Sequence, residues 1–202
     1  MRSSQPVHIG KLARCIVAIM AAAIANGVVA QTLEKSYILA EPLQYSKQGK
    51  FRGCGLNLKL LQESQAQTRD YVTLSINFWL DSPGVALVKT TLNKARAGTS
   101  PSLQQQRLKS TWARLKQESP LEPIKTMSGE DEAILSVVEL KSALDFVNKA
   151  ANKTELQVGF LQVGSKLERV FYGKPEITTE SQQLLHECFD ELIQNLNSSG
   201  EQ

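Results

Sequence analysis

The stretch from Leu156 to Leu196 constrains this chain most, because turn chemistry and hydrophobic spacing agree there on one arrangement. Leu156-Gln157-Val158-Gly159-Phe160 alternates large apolar residues with small or polar ones, the pattern of a half-buried strand. Gly164-Ser165 supplies a two-residue turn, since glycine takes the positive φ that a hairpin turn needs. Pairing Val163 with Lys166 across it sets Val158 opposite Phe171 and Gln162 opposite Leu167. Leu156, Val158, Phe160, Leu167 and Phe171 then share one face. Lys174-Pro175 ends the second strand, and Thr179-Glu180-Ser181-Gln182 has the form of a capping box. Leu185, Cys188, Leu192 and Leu196 follow at helical spacing, widened by Phe189 and Ile193. A stripe that wide predicts a helix lying on a sheet.

Between Ser36 and Leu115 the spacing is mostly that of strands. Tyr37-Ile38-Leu39 ends before Pro42 and predicts at most an edge strand. Leu56, Leu58 and Leu60 alternate with polar residues, and Val72, Leu74, Ile76, Phe78 and Leu80 make the clearest alternation in the chain. Ser82-Pro83-Gly84 has the order of a type II turn and should fold Val85–Val88 back on the preceding strand. Leu108 to Leu115, around Trp112, is a weaker strand. Two stretches poor in apolar residues, about 93–107 and 116–131, are predicted as long loops. Ala133 to Val138 is apolar on all sides and partly β-branched, which favours a strand, with a helix from about Leu140 to Ala151. The predicted fold class is therefore α+β, a mainly antiparallel sheet with the two helices of the C-terminal half on one face, in a single domain over residues 31–202.

The first thirty residues do not belong to that domain. Arg2, Lys11 and Arg14 form a positive segment, Cys15 to Ala25 is an apolar run too short to span a bilayer, and Val28-Val29-Ala30 offers small residues for cleavage. This is the pattern of a signal peptide over 1–30, with Gln31 as the mature N-terminus and a periplasmic or secreted destination. Cys15 stands at the start of the apolar run and does not follow it, so it is not placed as a lipidation site. No later run has the length of a membrane helix.

The net charge of +3 comes from those first three cations, since 23 − 3 leaves 20 basic residues against 20 acidic ones from Gln31 onward. A neutral mature chain argues against nucleic-acid binding. The charge is uneven, however: residues 31–116 carry 13 basic and 5 acidic residues, and residues 117–202 carry 7 and 15. Halves of +8 and −8 can pack and complement each other. Alternatively Lys89, Lys94, Arg96, Arg107 and Lys109, around one predicted loop, make a basic face for an anionic surface or another periplasmic macromolecule.

Motifs for catalysis are missing from the sequence. There is no nucleophile elbow, HExxH, Walker loop or dinucleotide fingerprint, so no cofactor is implied. His186 is the one histidine beyond the leader, and Cys188, two positions on, projects to another side of the helix. His186 with Asp190, and Glu187 with Glu191, share helix edges but lack the partners of a zinc site. Glu130-Asp131-Glu132 lacks the spacing of a calcium loop. No catalytic or metal-binding residue is therefore assigned. The expected function is a non-catalytic binding or accessory module in the periplasm, the alternative being a small hydrolase whose carboxylates or lone histidine are assembled by the fold. Loss of the leader removes Cys15, leaving Cys54 and Cys188 in an oxidising compartment, where they are expected to pair.

Overall fold

Alternation does most of the building. In the computed structural model, which describes residues 31–63, 68–96, 102–130 and 132–199, four long strands form an antiparallel meander: β1 (Gln31–Lys47), β2 (Lys50–Gln62), β3 (Thr68–Trp79) and β4 (Val85–Arg96). In their central parts the even-numbered residues, Ile38 and Ala40, Cys54 to Leu60, Val72 to Phe78 and Ala86 and Val88, form a continuous apolar layer. Ile38 pairs with Leu60, Leu60 with Val72 and Val72 with Leu92, and all four are buried. The signal-peptide reading falls on residues 1–30, which lie outside the described residues.

The chain continues as β5 (Ser102–Gln106), β6 (Leu108–Leu115), β7 (Pro123–Ser128), β8 (Ile134–Glu139), α1 (Leu140–Ala151), β9 (Leu156–Gln162), β10 (Glu168–Gly173), β11 (Pro175–Glu176) and α2 (Thr179–Ser199). The strand order is β6-β9-β10-β1-β2-β3-β4-β8-β7, with β11 on β1 and β5 on β4. Because β5 pairs with β4 and β6 pairs with β9, the segment from 102 to 115 reaches from one flank of the sheet to the other. The sheet thus curls around its apolar face. Leu156, Val158, Phe160 and Phe171 fill its other wall, with the two phenylalanine rings edge to face at 5.1 Å.

The hairpin register follows the turn. Val158 pairs with Phe171, and Gly164 sits at φ 85°, a conformation that β-carbon sterics disfavour. The strand-then-helix reading of 133–151 also holds, as β8 and α1. Several expectations need correction. The fold is mostly sheet, 59% strand with two helices, and not a balanced α+β arrangement. The predicted loop at 93–107 is strand on both sides, because β4 runs on to Arg96 and Ser102–Gln106 pairs with it. Their backbone hydrogen bonds form without a regular apolar pattern, since Asn93 pairs with Gln105 and Lys94 with Gln104. Within the predicted loop 116–131, β7 is a strand whose residues are all exposed.

The expected short edge strand at Tyr37–Leu39 is in fact the longest strand, and Pro42 lies inside it. Proline is tolerated because, beyond Leu39, β1 has a ladder to β2 alone. The cap of α2 falls one residue earlier than the capping box suggested: the Thr178 hydroxyl accepts from the Ser181 N–H at 3.1 Å. Leu185, Cys188 and Leu192 are buried as the stripe required, whereas Ile193 is exposed. Helix α2 lies against β1 and β2, with Phe189 edge-on to Phe78 at 5.2 Å. Helix α1 buries Ala143, Phe146, Val147, Ala150 and Ala151.

Candidate functional site

Between α1 and the segment after β6 lies a cleft of about 610 Å³. Local chemistry shapes it. After Leu115 the chain turns, with the Glu118 N–H donating to the Leu115 carbonyl at 2.9 Å, and folds back so that the Leu121 N–H reaches the Ala113 carbonyl at 2.8 Å. Pro120 and Pro123 stiffen this return. Apolar Leu115, Leu121, Ile124 and Phe146 line the cleft together with the carboxylates of Glu118, Glu122, Glu139 and Asp145. Lys149 bridges two of them, at 2.7 Å from Asp145 and 2.7 Å from Glu118. These hydrogen bonds, the one to Asp145 first, raise the Lys149 pKa above its ordinary value. Ser142 donates its hydroxyl to Glu139 at 2.8 Å.

Strand β7 begins in this cleft. It pairs with β8 on one side and with no described strand on the other, and Ile124 is 66% exposed. A row of backbone donors and acceptors is left facing out beside the carboxylates.

At the opposite end of the sheet a second polar cluster is part-buried instead of open. Arg169 donates from Nε and Nη2 to the two carboxylate oxygens of Glu34, each at 2.6 Å, and from Nη1 to Asp70. Gln62 donates to the same Glu34. The guanidinium lies over Phe160 and Phe171, at 5.5 and 5.3 Å from their ring centres. Burial lowers the Arg169 pKa, but the bonds to Glu34 and Asp70 outweigh it and hold the side chain charged. This cluster ties β10 to β1 and β3 across the mouth of the curled sheet.

The five basic residues singled out from sequence do not form one patch. Lys89 pairs with Ser75 and Leu135, while strand alternation puts Lys94 and Arg96 on the other face of β4. Arg107 is 3.2 Å from Glu132, and Lys109 is exposed on β6. The tryptophans are both committed within the fold. Trp79 stacks on Tyr45 at 4.3 Å between ring centres, and Trp112 donates to Glu168 at 2.9 Å. A β-carbon at Gly159 would occupy the space of the Trp112 indole, so glycine there is what lets the ring lie flat on its partner strand. His186 lines a groove between α1 and α2 with Asp145 and Phe189, away from the other cleft carboxylates. Among the described residues no three or more His, Cys, Asp or Glu side chains are grouped to hold a metal.

Cys54 and Cys188 are brought side by side. Both are buried and unbonded to each other in the structure. The neighbouring Cys188 thiol, reinforced by burial, pushes Cys54 up from its ordinary value, and the Cys54 neighbour lowers Cys188 against the effect of burial.

Two groups of residues escape a reading of the sequence. The cleft carboxylates come from two short stretches, 118–122 and 139–145, and lie in no motif. For Arg169 a signal exists: the hairpin register that pairs Val158 with Phe171 also sets Arg169 opposite Phe160, a cation on an apolar face. Comparison with protein-family models, with curated proteins and with solved structures returns no match.

Proposed function

We propose that this chain is a non-catalytic binding module, exported to the periplasm or secreted, that adds an extended, lysine- or arginine-bearing segment of another exported macromolecule to the edge of β7. The observation that carries the reading is the position of the unpaired β7 edge against a cleft lined by four carboxylates. An exposed strand edge recruits a peptide through main-chain hydrogen bonds, and neighbouring pockets select its side chains. Here Ile124 and Leu121 receive apolar side chains, while Glu118, Glu122 and Glu139 attract cations. The basic residues first singled out are divided between faces, which is why a cationic partner is preferred to an anionic one.

The test uses an extended peptide of alternating lysine and valine, with an alternating glutamate–valine peptide as the control, read by fluorescence anisotropy. The lysine peptide should bind at low salt and weaken as salt screens exposed charges over about 10 Å at 0.1 M. Replacing Glu118 and Glu122 by Gln should weaken it about threefold to tenfold, as expected for two exposed charge contacts. Equal or tighter binding of the glutamate peptide overturns the proposal in favour of an anionic partner.

A second reading keeps the same cleft but makes it the site of a small hydrolase, since four carboxylates could divide acid and base roles. It requires turnover of a chromogenic ester, phosphate or glycoside that Glu122→Gln abolishes.

A further inference from the structure

We infer that Cys54 and Cys188 are a disulfide site, closed by a thiol–disulfide oxidant that enters at Cys188. The inference rests on their juxtaposition and is independent of the β7 docking reading. Cys54 sits within β2, in register with Gln44 on one side and Phe78 on the other. Cys188 occupies the buried stripe of α2, with its thiol 3.8 Å from the Leu43 carbonyl. Contacts flanking the pair hold the helix in this position: Phe189 packs on Phe78, and Gln44 donates to Glu191 at 3.3 Å. Residues 134 positions apart in sequence are thereby fixed against each other, which random encounter in an unfolded chain achieves only rarely.

Access is asymmetric. A cavity of about 230 Å³ opens between α2 and the segment of β1 that pairs with β2 alone, lined by Pro42, Leu43, Gln44, Leu184, Cys188 and Glu191. Cys188 lines it and Cys54 does not. The lowered pKa of Cys188 acts in the same sense, because the thiolate is the attacking species. In the first step the Cys188 thiolate attacks one sulfur of the oxidant's disulfide, forming a mixed disulfide and expelling the other sulfur as thiolate. Cys54 then gives up its proton to solvent, and its thiolate attacks the Cys188 sulfur. The Cys54–Cys188 bond forms, the mixed disulfide breaks, and the oxidant leaves as a dithiol carrying two electrons. The product ties the last helix to the middle of the sheet.

The experiment uses the full chain with Cys15→Ser, treated with oxidised glutathione and mapped by mass spectrometry. A Cys54–Cys188 linked peptide and loss of all alkylation in the unfolded, unreduced protein are expected. The oxidised form should also need more urea to unfold than the reduced form. In the Cys54→Ser variant Cys188 should be trapped as the glutathione adduct, about tenfold faster or more than Cys54 in the Cys188→Ser variant, as differing thiolate access implies. Alkylation of both thiols after oxidation overturns the disulfide site. Equal trapping rates overturn the entry route while leaving the linked peptide to report on the bond itself.

Discussion

Where β3 and β10 begin, Arg169 is enclosed by Glu34 and Asp70 and covered by two phenylalanine rings; where β6 and β8 finish, Glu118, Glu122, Glu139 and Asp145 stand around an open cleft with a single lysine among them. Both ends of the curled sheet therefore gather carboxylates, and at each a cation reaches two of them, Arg169 from a part-buried position and Lys149 from an exposed one. The difference is one of solvent access. A charge removed from water has to be paired within the protein, whereas a charge left at a cleft can wait for a partner from outside. The part-buried cluster ties β10 to β1 and β3, and the open one faces solvent.

Breaking the closed end should have the largest effect. Arg169→Met strands two partly buried carboxylates and is expected to lower unfolding free energy by about 3 kcal/mol, measured by urea denaturation. Adding Glu34→Gln and Asp70→Asn should restore much of that loss, because the cost lies in unpaired charge more than in the lost contact. An Arg169→Met protein as stable as the parent would mean that this cluster is as open as the cleft.

Tyr45 offers an intermediate test at the cleft end of the sheet. Its hydroxyl donates to the buried Asn77 at 2.5 Å and its ring meets Trp79, so Tyr45→Phe should cost about 1 kcal/mol. Burial raises the Tyr45 pKa above 10.0. A raised folded-state value means that the contribution is complete below pH 10.0 and is lost as pH rises through the folded-state pKa. Stability measured from pH 9 to 12 should fall less steeply in Tyr45→Phe than in the parent. Identical slopes would remove Tyr45 from the alkaline transition.

The smallest effect belongs to the cleft itself. Glu122→Gln should change stability by less than about 0.5 kcal/mol, as surface substitutions away from structural features do. Thermal unfolding checks this, and a large loss would show that the cleft carboxylates hold the fold together as Arg169's partners do.

Much of this arrangement was legible beforehand where residues act through their neighbours. The alternation of Val72 to Phe78, the turn at Gly164 and the stripe of Leu185, Cys188 and Leu192 each specify a local conformation and a buried side. The same local logic failed at Pro42 and at Gln104-Gln105-Gln106, where proline and polar composition argued against strands. There the deciding term was the ladder to a neighbouring strand, β2 in one case and β4 in the other, which propensity does not record.

By itself, then, the sequence determined the hairpin register, the strand-to-helix step at Glu139 and the apolar faces, because periodicity and turn chemistry act over a few residues. Only the tertiary structure decided that Cys54 meets Cys188, that Arg169 reaches Glu34 and Asp70, and that Glu118 shares a cleft with Glu139. Those pairings depend on how far the sheet curls and which strands lie side by side. That is a property of all its ladders together, and no short stretch of residues encodes it.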